Sequence, residues 1–214
     1  MDSVTTTPPP RRPRRDATEN REALLAAARA VLNRDPAASL EAIAAEAGLS
    51  RRSIYGHFSN RDDLLLELVT SGSRRVASAL ETVSHPDPLT RLALIASHLW
   101  IEVESVRVMA VVALRGPLVS HTVGALGSVR REVREAIRAG QANGTMRPDI
   151  PVDRLARLVE ATALSVLEES TEHAIDAGEG QRLVMLMTLG AVGLGWRESQ
   201  EFIAETPELI WSGE

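Results

Sequence analysis

From Asp16 onward apolar residues recur at helical spacing almost without interruption, and no stretch alternates apolar with polar residues between hairpin turns. That regularity confines the chain to an all-α fold. Composition agrees: Ala and Leu abound, aromatics are 3% of 214 residues, and unbranched side chains lose little on entering a helix. Breakers then divide the pattern. The first helix runs from Asp16, with Glu19 as its capping partner, to Asp35-Pro36. The second starts at Ser39 and stops at Gly48. The third is capped by Ser50 and carries Ile54, Tyr55 and Phe58. The fourth opens at Asn60, with Asp63 three residues on, and lasts to about residue 83. Further helices are predicted at roughly 88–105, 106–115, 118–142, 152–177 and 180–204, about nine in all.

The domain plan follows from the same breaks. Residues 1–15 hold Pro8, Pro9, Pro10 and Pro13 among Arg11, Arg12, Arg14 and Arg15, too little apolar surface to offset ordering, so a disordered basic arm is expected. Residues 16–59 form a small three-helix head, and residues 60–214 a larger helical body, with helix 60–83 linking the two.

Charge separates along the chain. The net charge is −5, yet residues 1–58 carry nine Arg against seven acids, while the remainder carries 15 Arg against 22 acids. A positive head on an acidic body suits a partner that is itself anionic. With no cysteine, disulfides, thiolate metal sites and cysteine nucleophiles are excluded. His98 and Glu102 stand one turn apart but have no third ligand, so no metal is expected. Gly190, Gly193 and Gly195 follow no strand, which removes the nucleotide-loop reading and leaves close helix approach; no cofactor is expected. The apolar run from Leu183 to Trp196 is short of a membrane span, and no secretory segment follows Met1, which makes a cytoplasmic protein the natural expectation.

The head carries the chemistry. Its second and third helices are joined by Gly48-Leu49-Ser50, a turn tight enough to hold one helix across the other, with Gly supplying a left-handed backbone position. Arg51, Arg52, Ser53 and Gly56 then lie on the side away from Ile54 and Phe58. An arginine there can fork onto the O6 and N7 of guanine, a contact worth about 1–3 kcal/mol of discrimination. This is the outline of a helix-turn-helix that reads double-stranded DNA.

The run from Ser39 to Ser50 (SLEAIAAEAGLS), followed by Ser53-Ile54-Tyr55-Gly56-His57-Phe58 and then Asn60-Arg61-Asp62-Asp63-Leu64-Leu65, resembles the signature of the TetR family of bacterial regulators over about residues 18–67. The resemblance implies that Ser39 and Ser50 cap helices and meet phosphates. It implies that Tyr55 and His57 touch the DNA backbone, and that Arg61 binds phosphate at the start of the fourth helix. Arg61 stands where the family usually has Lys, and Arg52 where a small residue is common, so base reading rests more on Arg51.

For the body the resemblance implies a ligand-sensing domain whose last long helices pair with a second copy. The residues agree: segments 152–177 and 180–204 are apolar on more than one stripe, which calls for burial on two sides and for a homodimer through 152–204. The expected small-molecule pocket is built on Leu92, Ile95, Leu99, Trp100 and Val103, with Met109 and Val112 on the next helix. The whole reads as a ligand-responsive regulator, a dimeric repressor of a palindromic operator released by a small molecule. A helix-turn-helix regulator with no small-molecule ligand is the alternative. An all-α enzyme is a further one, but no acid-base pair or nucleophile supports it.

Overall fold

Helix ends in this chain are set by side-chain caps and breakers, and the computed structural model, which describes residues 13–115, 119–173 and 175–210, has them where local chemistry asks for most of them. Helix α1 runs Pro13–Arg34, opening on a proline at the first helical position, where its missing N–H costs nothing. It therefore takes in the last three residues of the segment expected as an arm, whose residues 1–12 lie outside the described ones. Helix α2 is Leu40–Glu46, capped by the Ser39 hydroxyl accepting from the Ala42 N–H at 3.2 Å. Helix α3 is Arg51–His57, capped in the same way by Ser50 accepting from Ser53 N–H at 3.2 Å. Helix α4 is Arg61–Leu80, with Asn60 accepting from the Asp63 N–H.

In the body, α5 is Pro88–Val103, capped by Asp87, and a 3-10 turn leads into α6, Arg107–Arg115. The segment expected as one helix over 118–142 is two, α7 (Val119–Ala125) and α8 (Gly127–Ala142). The change falls at Leu126 between Gly124 and Gly127, two residues that hold a helix weakly. Helix α9 is Val152–Glu172, ending five residues before the expected 177 because Asp176 caps the next helix, α10 (Ala177–Ala191), accepting from the Glu179 N–H at 2.8 Å. Gly178 is then in the first turn of α10 and not its breaker. The expected helix 180–204 is likewise divided: α10 stops at Ala191, Gly193 takes φ +116°, and α11 runs Trp196–Glu205. So Gly193 serves to end a helix, a role that close approach of helices did not anticipate. No strand occurs among the described residues. None of the described helices is long and apolar enough to cross a membrane.

The chain divides into two compact units, residues 1–65 and 66–214, with the division inside α4. In the first, α1, α2 and α3 pack on one another, burying Leu24, Ala28 and Leu32 with Leu40, Ile43, Ala44, Ile54 and Phe58. In the second, α5 is the central element. Packed against α10 and α8, it is buried around most of its circumference. Leu92 and Ala93 join a core with Ile137, Leu155, Leu189 and Val192, while Ile95 faces Val76, Leu80 and Val83.

Candidate nucleic-acid interface

The head's geometry begins at its turn. Gly48 has φ +66°, and the Leu49 N–H donates to the Ala44 carbonyl at 2.8 Å, closing the end of α2 within one residue. A side chain at that φ would be strained, whatever space surrounds it. The turn leaves α3 anchored by Ile54 and by Phe58 at its C-cap, both buried. Because Ile54 and Phe58 point inward, Arg51, Arg52, Tyr55 and Gly56 are exposed, and Ser53 and His57 are half-buried. Ser39 and Ser50 are both exposed at helix N-termini, where the backbone carries partial positive charge suited to an anion. Ser39, Ser50, Arg51, Arg52, Ser53, Tyr55, Gly56 and His57 thus all lie on the small three-helix unit, at least partly exposed.

Two of them are engaged within that unit. Glu41, in the first turn of α2, accepts the Tyr55 hydroxyl at 3.0 Å, and the same Oε1 lies 3.2 Å from Arg51 Nε. The Arg51 guanidinium lies 5.5 Å from the Tyr55 ring centroid. The Glu41 carboxyl is held below its ordinary range, first by a backbone hydrogen bond at its own amide, then by the Tyr55 hydroxyl and the Arg51 charge.

Arg61 is also occupied. Its Nη2 donates to the Pro36 carbonyl and its Nε to the Ala38 carbonyl at 3.3 Å, so it ties the loop before Ser39 to the start of α4. Arg21 of α1 has a comparable task at the other end of α3. Its Nη1 donates to the His57 carbonyl at 3.4 Å, and its guanidinium lies 4.8 Å from the Phe58 ring centroid. Neither Glu41 nor Arg21 stood out in the sequence. Both are ordinary charged residues on helix faces, and only the crossing of helices reveals what they hold.

The residues expected around a ligand pocket do not share one wall. Leu92, Ile95 and Trp100 belong to three separate apolar clusters, with Leu99 beside that of Ile95 and Val103 between it and that of Trp100. Met109 is buried and Val112 half-buried on α6. Trp100 is 2% exposed: its Nε1–H donates to the Ala177 carbonyl at 2.9 Å, and its ring lies so close over Gly180 that any Cβ there would overlap it. The ring is core, packed with Ala96, Val166, Leu167 and Val184. A cavity of about 320 Å³ opens instead among the end of α4, α5 and α8. Its apolar wall includes Leu80, Val83, Ile95 and Val129, its polar wall the Arg91–Glu132 ion pair, and Arg91 Nε is buried there without a hydrogen-bond partner. Of the seven expected pocket residues it takes Ile95 alone. Of the pair His98 and Glu102, the Glu102 carboxylate is engaged by Arg75 at 3.4 Å.

Residues 24–68 match the sequence model of bacterial regulatory proteins of the tetR family, the span that contains α2, the Gly48 turn and α3. The head of the chain thus carries the sequence pattern of the tetR family's regulatory proteins. Solved structures of regulators share the fold. The fatty acid degradation regulator FadR from Bacillus halodurans is 18% identical, with a TM-score of 0.65 over 81% of this chain and 99% of that one. SmeT, the repressor of the Stenotrophomonas maltophilia multidrug efflux pump SmeDEF, is 26% identical, with a TM-score of 0.62 over 82% of this chain and 91% of that one. RolR in complex with resorcinol is 16% identical, with a TM-score of 0.59 over 90% and 97%. No curated protein sequence matches the chain. The fold is that of a TetR-family transcriptional regulator.

Proposed function

We propose that the protein is a homodimeric repressor that binds a palindromic DNA operator and leaves it when a small molecule enters its larger unit. The observation that carries the reading is α3. Its buried Ile54 and the Phe58 at its end fix its roll, and the opposite side presents Arg51, Arg52, Tyr55 and Gly56 beside two serine-capped helix N-termini. Arg51 is the proposed base reader, with Arg52 beside it. Ser39, Ser50, Ser53, Tyr55, His57 and Arg61 would meet the backbone, and Gly56 would allow close approach to it. The test is selection from a randomised duplex DNA library by the full-length protein. A palindromic motif is expected, and enrichment of no motif would sink the reading.

Dimerisation is supported by α9 and α10. Packed on each other, they bury Leu155, Val159, Met185 and Leu189 yet leave Leu158 and Met187 46% and 48% exposed, beside exposed Ala161, Ser165 and Gly190. Large apolar side chains among small ones form a surface suited to a copy of itself. For the effector, the cavity among α4, α5 and α8 is at the small end of ligand sites, with an apolar wall and a few polar groups. SmeT is by its name a repressor and RolR was solved with resorcinol, which supports a similar use here. The effector must bind the DNA-free state better, and DNA then weakens effector binding by the same factor. On this reading the protein works in the cytoplasm without cofactor or catalysis.

The alternative, a regulator governed without a small molecule, is favoured by one observation: the Trp100 region is filled by the protein's own side chains. Titrating aromatic and acyl compounds against the operator complex separates the two, since only the first reading expects release.

A further inference from the structure

We propose that Glu41 is a specificity-determining residue of the DNA-reading head: its carboxylate, in an ion pair with the Arg51 guanidinium, narrows the orientations from which Arg51 can read a base. The inference rests on the DNA-binding reading above and adds a role for an acidic residue on a face that must approach phosphate.

The geometry is a three-residue link across the turn. Glu41 belongs to α2, Arg51 is the first residue of α3, and Tyr55 follows one turn later. One carboxylate oxygen accepts the Tyr55 hydroxyl, at 3.0 Å, and forms an ion pair with the Arg51 guanidinium, its Nε 3.2 Å away. The Tyr55 ring then backs the guanidinium at 5.5 Å. The Arg51 side chain is 74% exposed, and an arginine so exposed would otherwise sample many rotamers. Held by Glu41 on one edge and by the Tyr55 ring, it has less freedom to lose when it meets DNA.

The edge that is held also matters. An arginine can fork onto guanine O6 and N7 through Nε with one Nη, or through Nη1 and Nη2. The ion pair sets Nε beside Glu41 Oε1 and so favours the second approach. The carboxylate has a further effect that does not depend on sequence. A negative charge on a surface facing phosphate weakens binding to every duplex, while support of Arg51 strengthens binding only where the matching base stands. The first effect lowers both affinities alike and leaves their ratio unchanged; the second widens the ratio between operator and other DNA, and that ratio is what specificity measures.

The test uses the full-length chain and a randomised duplex library, followed by affinities for the selected duplex and its single-base variants. Wild type, Glu41→Ala, Glu41→Gln, Arg51→Ala and the double variant Glu41→Ala/Arg51→Ala are compared. In Glu41→Ala, discrimination at the base pair lost in Arg51→Ala should fall about two- to fivefold, the size of an exposed ion pair. Affinity for unrelated duplex should rise. Glu41→Gln, which keeps an oxygen for Tyr55 but loses the charge, should fall between Glu41→Ala and wild type. In the Arg51→Ala background the Glu41 change should cause no further loss of discrimination. A wild-type protein that selects no motif overturns the DNA-binding reading itself. A clear wild-type motif with unchanged base preferences in Glu41→Ala overturns only the role of Glu41. A loss that persists without Arg51 also overturns it, since Glu41 would then read a base directly.

Discussion

Arg61 has the same charge whether it faces phosphate or backbone, but its removal does different things in the two cases. Two of its nitrogens are donated to the carbonyls of Pro36 and Ala38, just before the Ser39 cap. Arg61→Ala leaves both carbonyls short of a donor and should lower stability by about 1–2 kcal/mol, read as a lower thermal midpoint. Nη1 is left to meet phosphate. If it does, the log–log salt slope of DNA binding should flatten by about 0.9, with all sequences weakened alike. A lower midpoint with an unchanged slope would make Arg61 a structural tie only. Unequal losses across operator variants would make it a base reader.

At the scale of elements, two joints decide how helices meet. The α2–α3 turn depends on Gly48 at φ +66°, where an added Cβ touches nothing and the whole cost is backbone conformation. Gly48→Ala should therefore cost about 1–2 kcal/mol, by the left-handed penalty alone, and weaken DNA binding in step with the fraction of head unfolded. No change in the melting of the head would show that the turn tolerates a side chain. The α5–α10 joint depends on Trp100 lying over Gly180 with its indole N–H on Ala177. Trp100→Ala empties a buried volume and should cost about 3–5 kcal/mol. A variant that melts like wild type would return Trp100 to the role of a pocket wall, the place the sequence suggested for it.

For the whole molecule, the prediction concerns assembly. If Leu158 and Met187 face a second copy, a charge at either is buried without a partner in the dimer and solvated in the monomer. Leu158→Arg or Met187→Glu should then convert a micromolar dimer to monomer, measured by light scattering on a sizing column, with the fold intact by circular dichroism. DNA affinity should drop with it, because two half-sites would no longer be bound by one particle. A stable dimer in both variants would move the interface elsewhere.

Helicity, the caps at Ser39, Ser50 and Asn60, and the turn at Gly48 were all legible in the sequence, because each is settled within three or four residues of itself. The inward roll of α3 was legible too, from the spacing of Ile54 and Phe58. The breaks at Leu126 and Val192 were less so, since weak helix formers permit a break without requiring one. What the sequence could not settle was every choice among distant partners. An apolar stripe on α5 does not say that the helix is buried around most of its circumference, nor that Trp100 finds an acceptor 77 residues away at Ala177. An exposed arginine has several rotamers of similar energy. Only the crossing of α2 over α3 brings Glu41 to Arg51, and only the path of the α1–α2 loop brings two carbonyls to Arg61. Local backbone preference determined the elements of this protein; long-range packing decided which side chains they set against one another.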